Sequence, residues 1–322
     1  MRFPWLQVCK KFVSTWAAVF ALVSSAHAFV PSLYSLSSVY QEADAIVVAR
    51  CGATREVHPR TAESFDHKTS MTVVNRLVGS ETFPLTFELA THHGASCDYD
   101  LKFDVDAKVL LFLKWSPDDE AYRAVGRSEG SFLLDAPLEA EFTKRIPALG
   151  KILALPKGRT RDMALTELYV ELCVNPITRR IGAHSLGLDT RNWMPLKSAA
   201  TSAAQYQRMA EAIVAERPPL KASEPLVRLL LEYPDRALDA YLIESIRKWD
   251  QPGWSTLTRA AIDTLPKRLG VAMPPNLSAD LIEHFRETQW EVTEPRSRLE
   301  EYYERMRPAL MKRVLDVVDR KK

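Results

Sequence analysis

Apolar and polar residues follow one rhythm in the front of the chain and another in the back. Ala45-Ile46-Val47-Val48-Ala49 is an unbroken apolar run, the pattern of a strand covered on both faces. Met71 to Val78 predicts a second strand, ended by Gly79-Ser80. Leu85, Phe87 and Leu89 alternate with Thr86 and Glu88, which predicts a half-buried strand. Val109 to Leu113 predicts another fully covered strand, followed by a turn over Trp115-Ser116-Pro117-Asp118-Asp119. Tyr122 to Val125 and Ser131 to Leu134 complete the set. Five or six short strands in so little chain predict a small antiparallel OB-like barrel. Two polar stretches interrupt them, Arg55 to Lys68 and Thr91 to Asp106. Long loops on a rigid β scaffold are common carriers of binding function.

After Pro137 the apolar spacing becomes helical. Leu165, Leu168, Tyr169 and Leu172 share one face; so do Leu226, Leu229, Leu230 and Tyr233. Leu238, Tyr241, Leu242 and Trp249 form a third stripe, and Leu281, Ile282 and Phe285 a fourth. Thr160, Ser223 and Ser278 stand where N-caps belong. Helix pairs restart near Thr160, Ser198, Arg236 and Leu277, a period of roughly 40 residues, as in solenoids of helical hairpins. A plain bundle is the other arrangement this spacing allows. Arg296 to Lys322 reads as one long charged helix, its alternating signs those of a salt-bridge-laced exposed face.

The first 28 residues stand apart from both patterns. Arg2, Lys10 and Lys11 precede a largely apolar stretch from Phe12 to Ser25, and Ala26-His27-Ala28 is a small-x-small cleavage signal. This layout predicts a secretory signal peptide, with the exported chain beginning near Phe29. The domains expected are therefore residues 1–28 as signal peptide, 29–135 as β-barrel and 136–322 as helical domain. The protein would be periplasmic or secreted, with no stable membrane insertion after cleavage.

Charge and cysteine content refine this picture. Residues 29–135 hold 10 Lys/Arg against 16 Asp/Glu, a net of −6, while residues 136–322 hold 30 against 25, a net of +5. The near balance of the exported chain gives no general attraction to nucleic acid. Cleavage leaves Cys51, Cys97 and Cys173. An oxidising compartment allows one disulfide among three thiols. Cys51 and Cys97 share the barrel and are the expected pair, with Cys173 a small buried hydrophobe on a helix face.

The segments Ala43-Asp44-Ala45-Ile46-Val47-Val48-Ala49-Arg50, Val73-Val74-Asn75-Arg76-Leu77-Val78-Gly79, and Cys97 followed by Lys108-Val109-Leu110-Leu111-Phe112-Leu113 carry a family likeness. Over about residues 43–134 the chain resembles bacterial domains similar to tissue inhibitors of metalloproteinases. The resemblance implies a netrin-like, OB-type barrel. Inhibition in that family needs a cysteine at the mature N-terminus to meet the protease zinc, and here Cys51 lies well inside. Arg123 to Gly130 lacks the later family cysteine, and the family's turn glycine is missing around Asp106-Ala107. The helical half resembles HEAT-type repeats in periodicity and hairpin length.

Three constellations invite chemistry. Gly126-Arg127-Ser128-Glu129-Gly130 matches G-x-S-x-G, but a nucleophile elbow needs a strand before the serine and a helix after it. The segment that follows reads as another strand, so a hairpin turn is expected. His92, His93, Cys97 and Asp98 are zinc-ligand types in one loop; adjacent histidines on an extended chain point opposite ways, and their spacing fits no zinc template. Asp98, Asp100, Asp104 and Asp106 lack the calcium-loop glycine. Trp193, Trp249, Trp254 and Trp290 fall near helix ends, where they cap a core or line a groove. No G-x-x-x-x-G-K-[ST], G-x-G-x-x-G, H-E-x-x-H or C-x-x-C occurs. These features lead to an exported, non-enzymatic binding protein of the bacterial envelope that engages a protein partner and needs no cofactor. The alternatives are a hydrolase or metal-dependent enzyme using Ser128 or His93, and a protease inhibitor by likeness of fold alone.

The export reading makes a direct prediction. Intact-mass measurement of the chain from a periplasmic fraction should give an N-terminus at Phe29; a cytoplasmic chain retaining Met1 would exclude it.

Overall fold

The computed structural model describes residues 34–58, 65–91, 102–126, 130–191, 201–230, 233–251 and 254–269, together with helical residues 308, 311–312, 314–316 and 319–320. The chain divides into two compact units, Met1–Glu139 and Ala140–Lys322.

In the first unit, helix α1 (Leu36–Glu42) precedes six strands: β1 (Ala45–Glu56), β2 (His67–Val78), β3 (Thr86–Thr91), β4 (Lys108–Ser116), β5 (Ala121–Ala124) and β6 (Ser131–Leu133). Five of them close into a barrel in the order β1-β2-β3-β5-β4, with β4 returning to β1; β6 adds to β4 beside β5. The barrel is OB-like and mixed rather than wholly antiparallel, because β3 and β5 meet in parallel at Leu89↔Tyr122. The reason is arithmetic. Strand directions cannot alternate all the way round a ring of five, so one neighbouring pair must run the same way.

Side-chain size explains the closure. Ala45, Val47 and Ala49 of β1 face Leu113, Leu111 and Val109 of β4 across the ladder. Pairing small with large residues fills a narrow barrel without voids or clash. Cys51, Met71, Phe83, Phe87 and Leu89 complete this interior. Ile46, Val48, Leu110 and Phe112, on the alternate positions, are buried as well. Both faces of β1 and β4 are therefore covered, as their unbroken apolar runs predict. Helix α1 buries Leu36 and Val39 and touches β4.

Two backbone details answer points raised by the sequence. Asp106 adopts a left-handed conformation, φ +66°, at the turn where the resembled family has a glycine. Aspartate is one of the few side chains that tolerate this region. Its N–H donates to the Cys51 carbonyl at 2.8 Å, and the Cys51 N–H donates to the Ala107 carbonyl at 2.9 Å, which ties the turn to β1. Gly126 also has positive φ, +62°, and a Cβ there would lie 2.8 Å from the Tyr34 ring.

The second unit contains most of α2 (Ala136–Leu153), then α3 (Arg159–Val174), α4 (Arg179–Arg191), α5 (Ala203–Val214), α6 (Glu224–Leu229), α7 (Arg236–Arg247) and α8 (Thr258–Arg268). Three hairpins, α3–α4, α5–α6 and α7–α8, follow one another. The first helices stack as α3 on α5 on α7, and the second helices as α4 on α6 on α8. Two layers of stacked hairpins are the architecture of a solenoid. Ion pairs join successive members of the first layer and its neighbours. Arg145 of α2 pairs with Glu171 of α3, Arg208 of α5 with Glu167 of α3 (2.6 Å), Arg217 after α5 with Glu244 of α7 (2.7 Å), and Arg247 of α7 with Asp319 (2.8 Å).

The helix starts differ in detail from expectation. Thr160 lies inside α3, whose N-cap is Gly158. The restart expected near Ser198 comes at Ser202, which forms a full capping box with Gln205. Asp235 caps α7, with the Leu238 N–H donating to its carboxylate at 2.8 Å. Ser223 does sit at the N-cap of α6, but its side chain makes no cap bond, because a buried arginine draws it away.

That arginine is Arg179, only 1% exposed. Its Nε donates to the Cys173 carbonyl (2.8 Å) and its Nη2 to that of Val174 (3.1 Å), both at the C-terminus of α3. A cation there meets the negative end of the helix dipole. Its Nη1 donates to Ser223 Oγ (2.7 Å) and pairs with Glu216. Ser223 in turn donates to Glu216 Oε2 at 2.8 Å, and the Tyr241 hydroxyl donates to the Glu216 carbonyl at 2.6 Å. Burial, then the charge of Glu216, raises the Tyr241 pKa and keeps the phenol protonated. Arg268 repeats the device. It reaches the carbonyls of Leu230 (2.6 Å), Tyr233 and Asp235 (3.2 Å) and the Asp239 carboxylate (2.5 Å).

Arg179→Ala leaves Glu216 without its buried partner. The variant should lose about 3–5 kcal/mol, the usual cost of stranding one member of a buried pair. Urea denaturation followed by helical circular dichroism checks this, and an unchanged midpoint would refute the role given to Arg179.

Candidate functional site

The polar hub around Glu216 leads outward to one surface cluster. Arg217 follows Glu216 directly, so a backbone held by Tyr241 sets its starting point. Its guanidinium carbon lies 5.0 Å from the Tyr241 ring centroid and 5.9 Å from that of Trp254. The two rings pack 5.9 Å apart, tilted at 49°. Lys248 places its Nζ 4.8 Å from the Trp254 centroid. Tyr241, Glu244 and Lys248 come to the same side of α7 and its end because they are three and four residues apart. Trp254 opens the short 3-10 turn before α8 (Trp254–Leu257).

Glu244 lies between the cations. It accepts from Arg217 Nη1 on Oε2 at 2.7 Å and from Lys248 Nζ on Oε1 at 2.6 Å. The Lys248 hydrogen bond, against the opposing effect of burial and with the charge of Arg217 beside it, holds its carboxyl below the usual carboxylate range. The side chains grade outward: Trp254 is 7% exposed, Glu244 29%, Lys248 40% and Arg217 50%. The arrangement is an aromatic floor with two cations over it and one carboxylate shared between them. Cation–π attraction holds both cations in place. The local charge is one positive unit in excess, which suits recognition of an anion.

The candidates read from sequence fall elsewhere. Ser128, His92, His93, Cys97 and Asp98 lie outside the described residues, as do Asp100, Trp193, Trp290 and the fourth apolar stripe. On the two sides of Ser128 stand β5 and β6, a strand on each flank. Gly130 packs so closely on the Val125 carbonyl that a Cβ would lie 2.0 Å from its oxygen. Cys51 and Cys173 are buried, and burial raises the pKa of each as a thiol, to about 11 and about 12. A thiol so shifted carries little thiolate near neutrality and is a poor nucleophile. The Cys51–Cys97 pairing remains an expectation, since Cys97 is not described. Among the described residues no group of three His, Cys, Asp or Glu could hold a metal, and no helix is long and apolar enough to cross a membrane.

Trp254 and Tyr241 were legible as aromatic positions at helix ends and on an apolar stripe. Arg217, Glu244 and Lys248 were not. Glu244–Lys248 shows the i,i+4 spacing of any exposed helix, and Arg217 joins them from the preceding hairpin. Comparison of the chain with protein-family models, with curated proteins and with solved structures finds no match.

The lowered Glu244 pKa fixes a sign. A carboxylate held below its unfolded value contributes stability that is present near neutrality and fades as pH falls through its folded value. Carboxyl NMR titration should therefore place the Glu244 midpoint below about 4.3, the ordinary glutamate value. Lys248→Ala should raise it, and an unmoved midpoint would contradict the geometry.

Proposed function

We propose that this protein is an exported, non-enzymatic binding protein of the bacterial envelope that engages a protein partner through its helical unit. The observation that carries this reading is the two-layered stack α3–α4, α5–α6, α7–α8. Hairpins stacked in this way offer an extended, nearly continuous surface, and such surfaces commonly bind other proteins. The first layer also carries exposed, ion-paired arginines, Arg208 and Arg247 on its helices and Arg217 just after α5, which suit a polar partner surface. The signal-like leader supports placement in the envelope.

The netrin-like character of residues 43–134 belongs to the same proposal. The closed OB-like barrel and the left-handed Asp106 at the family's turn position support it. It implies shared architecture, without the N-terminal cysteine on which inhibition depends.

A photo-reactive residue placed at Arg208 or Arg247, followed by cross-linking in an envelope extract, tests the reading. The expected outcome is one saturable cross-linked species that competes with unlabelled protein. Cross-linking no stronger than to an unrelated exported protein would sink it.

A further inference from the structure

The Arg217–Lys248 cluster has the form of a receptor already filled by a residue of its own chain. Each cation gives one side-chain hydrogen bond to Glu244, and each uses a different carboxylate oxygen. A guanidinium has five N–H donors and an ammonium three. Among the described residues, the other side-chain donors of Arg217 and Lys248 have no hydrogen-bond partner. The Trp254 and Tyr241 rings hold the cations by cation–π contacts, so a ligand need not immobilise two long side chains on arrival.

We infer that Arg217 and Lys248, over Trp254, recognise a carboxylate in an acidic segment of the partner, and that Glu244 is a built-in competitor for that carboxylate. This rests on the reading of the helical unit as the partner surface. The ligand class follows from the charges. The chain from residue 136 onward carries a net +5, which steers an acidic partner toward it. Glu244 also demonstrates that a carboxylate fits between the cations with one oxygen to each. A nucleic acid or an anionic membrane would need an uninterrupted row of cations. Here the neighbouring arginines of the same layer, Arg208 and Arg247, are each matched by a carboxylate, Glu167 and Asp319. Exchange of one carboxylate for another needs no new charge, only displacement of pairs that are exposed and therefore weak, each equivalent to roughly a twofold to fivefold change in affinity.

Fluorescence anisotropy of a labelled ten-residue oligoglutamate, titrated with the chain as purified from cells, tests this. Glu244→Gln should tighten binding about fivefold, because it removes the competitor of two weak pairs. Arg217→Ala and Lys248→Ala should each weaken it about fivefold on the same grounds. Lys157→Ala removes the same charge from an exposed position between α2 and α3, outside the stacked hairpins, and should leave binding within about twofold. Melting curves of all four variants establish that each is folded.

If Lys157→Ala weakens binding as much as Arg217→Ala, the probe senses net charge alone and the inference is overturned. It is also overturned if Glu244→Gln leaves binding unchanged or weaker, or if neither wild type nor Glu244→Gln binds oligoglutamate. In any of these cases a saturable cross-link at Arg208 or Arg247 would still uphold the helical unit as a partner surface, so the two readings can fail separately.

Discussion

A guanidinium removed from water must find acceptors for its donors, and Arg179 finds them where three helices end or begin. The carbonyls of Cys173 and Val174 close the end of α3, while Glu216 and Ser223 belong to the chain between α5 and α6. Tyr241 of α7 reaches the same Glu216 through its backbone carbonyl. A charge buried this deeply is tolerated only when paired and hydrogen-bonded, so the hub ties the first two hairpins and α7 into one geometry. Thr178 adds a bond to the Leu172 carbonyl at 3.0 Å, leaving the last turn of α3 well satisfied. Arg268 does equivalent work between α6, α7 and α8.

The surface cluster inherits its order from that hub. Arg217 is the next residue after Glu216, and the face of Tyr241 on which it stacks belongs to the ring whose hydroxyl holds Glu216. The same tyrosine therefore anchors a buried network and floors an exposed site. A long cation at the surface would ordinarily sample many rotamers. Here packing beneath it and Glu244 beside it restrict that freedom. The cluster is consequently better defined than Arg208–Glu167, where Glu167 is held low in pKa by hydrogen bonds from Arg208 and Gln205 but no ring among the described residues supports the guanidinium.

The barrel obeys a different constraint. Its interior is narrow, and β1 supplies Ala45, Val47 and Ala49 opposite larger residues of β4. Tight filling of this kind makes the strand pair sensitive to volume changes of a single methylene. Phe87 packs edge to face on both Phe83 and Tyr122, and Tyr122 continues to the half-exposed Trp115 at 5.1 Å. The Asp106 turn shows the economy of the fold. A residue with a side chain occupies a conformation that glycine usually takes, because two backbone hydrogen bonds, from the Asp106 N–H to the Cys51 carbonyl and from the Cys51 N–H to the Ala107 carbonyl, hold the turn there.

The strands and most of the helix stripes could be read from the chain because burial imposes a local period. Ala45–Ala49 and Val109–Leu113 are unbroken because both faces are covered, and Leu168, Tyr169 and Leu172 recur at helical spacing because one face is. Cap residues were less reliable. Ser223 has the right chemistry at the right place, yet Arg179 competes for its hydroxyl from 44 positions away in the chain. The period of roughly 40 residues allowed a bundle as well as stacked hairpins, and the parallel β3–β5 contact and the meeting of Arg217 with Lys248 and Trp254 lay beyond any local pattern. Local sequence determines which residues avoid water and with what period, since that depends on near neighbours along the backbone. Which distant charge meets which ring depends on how whole elements pack, and only the folded chain brings those partners within a few ångströms.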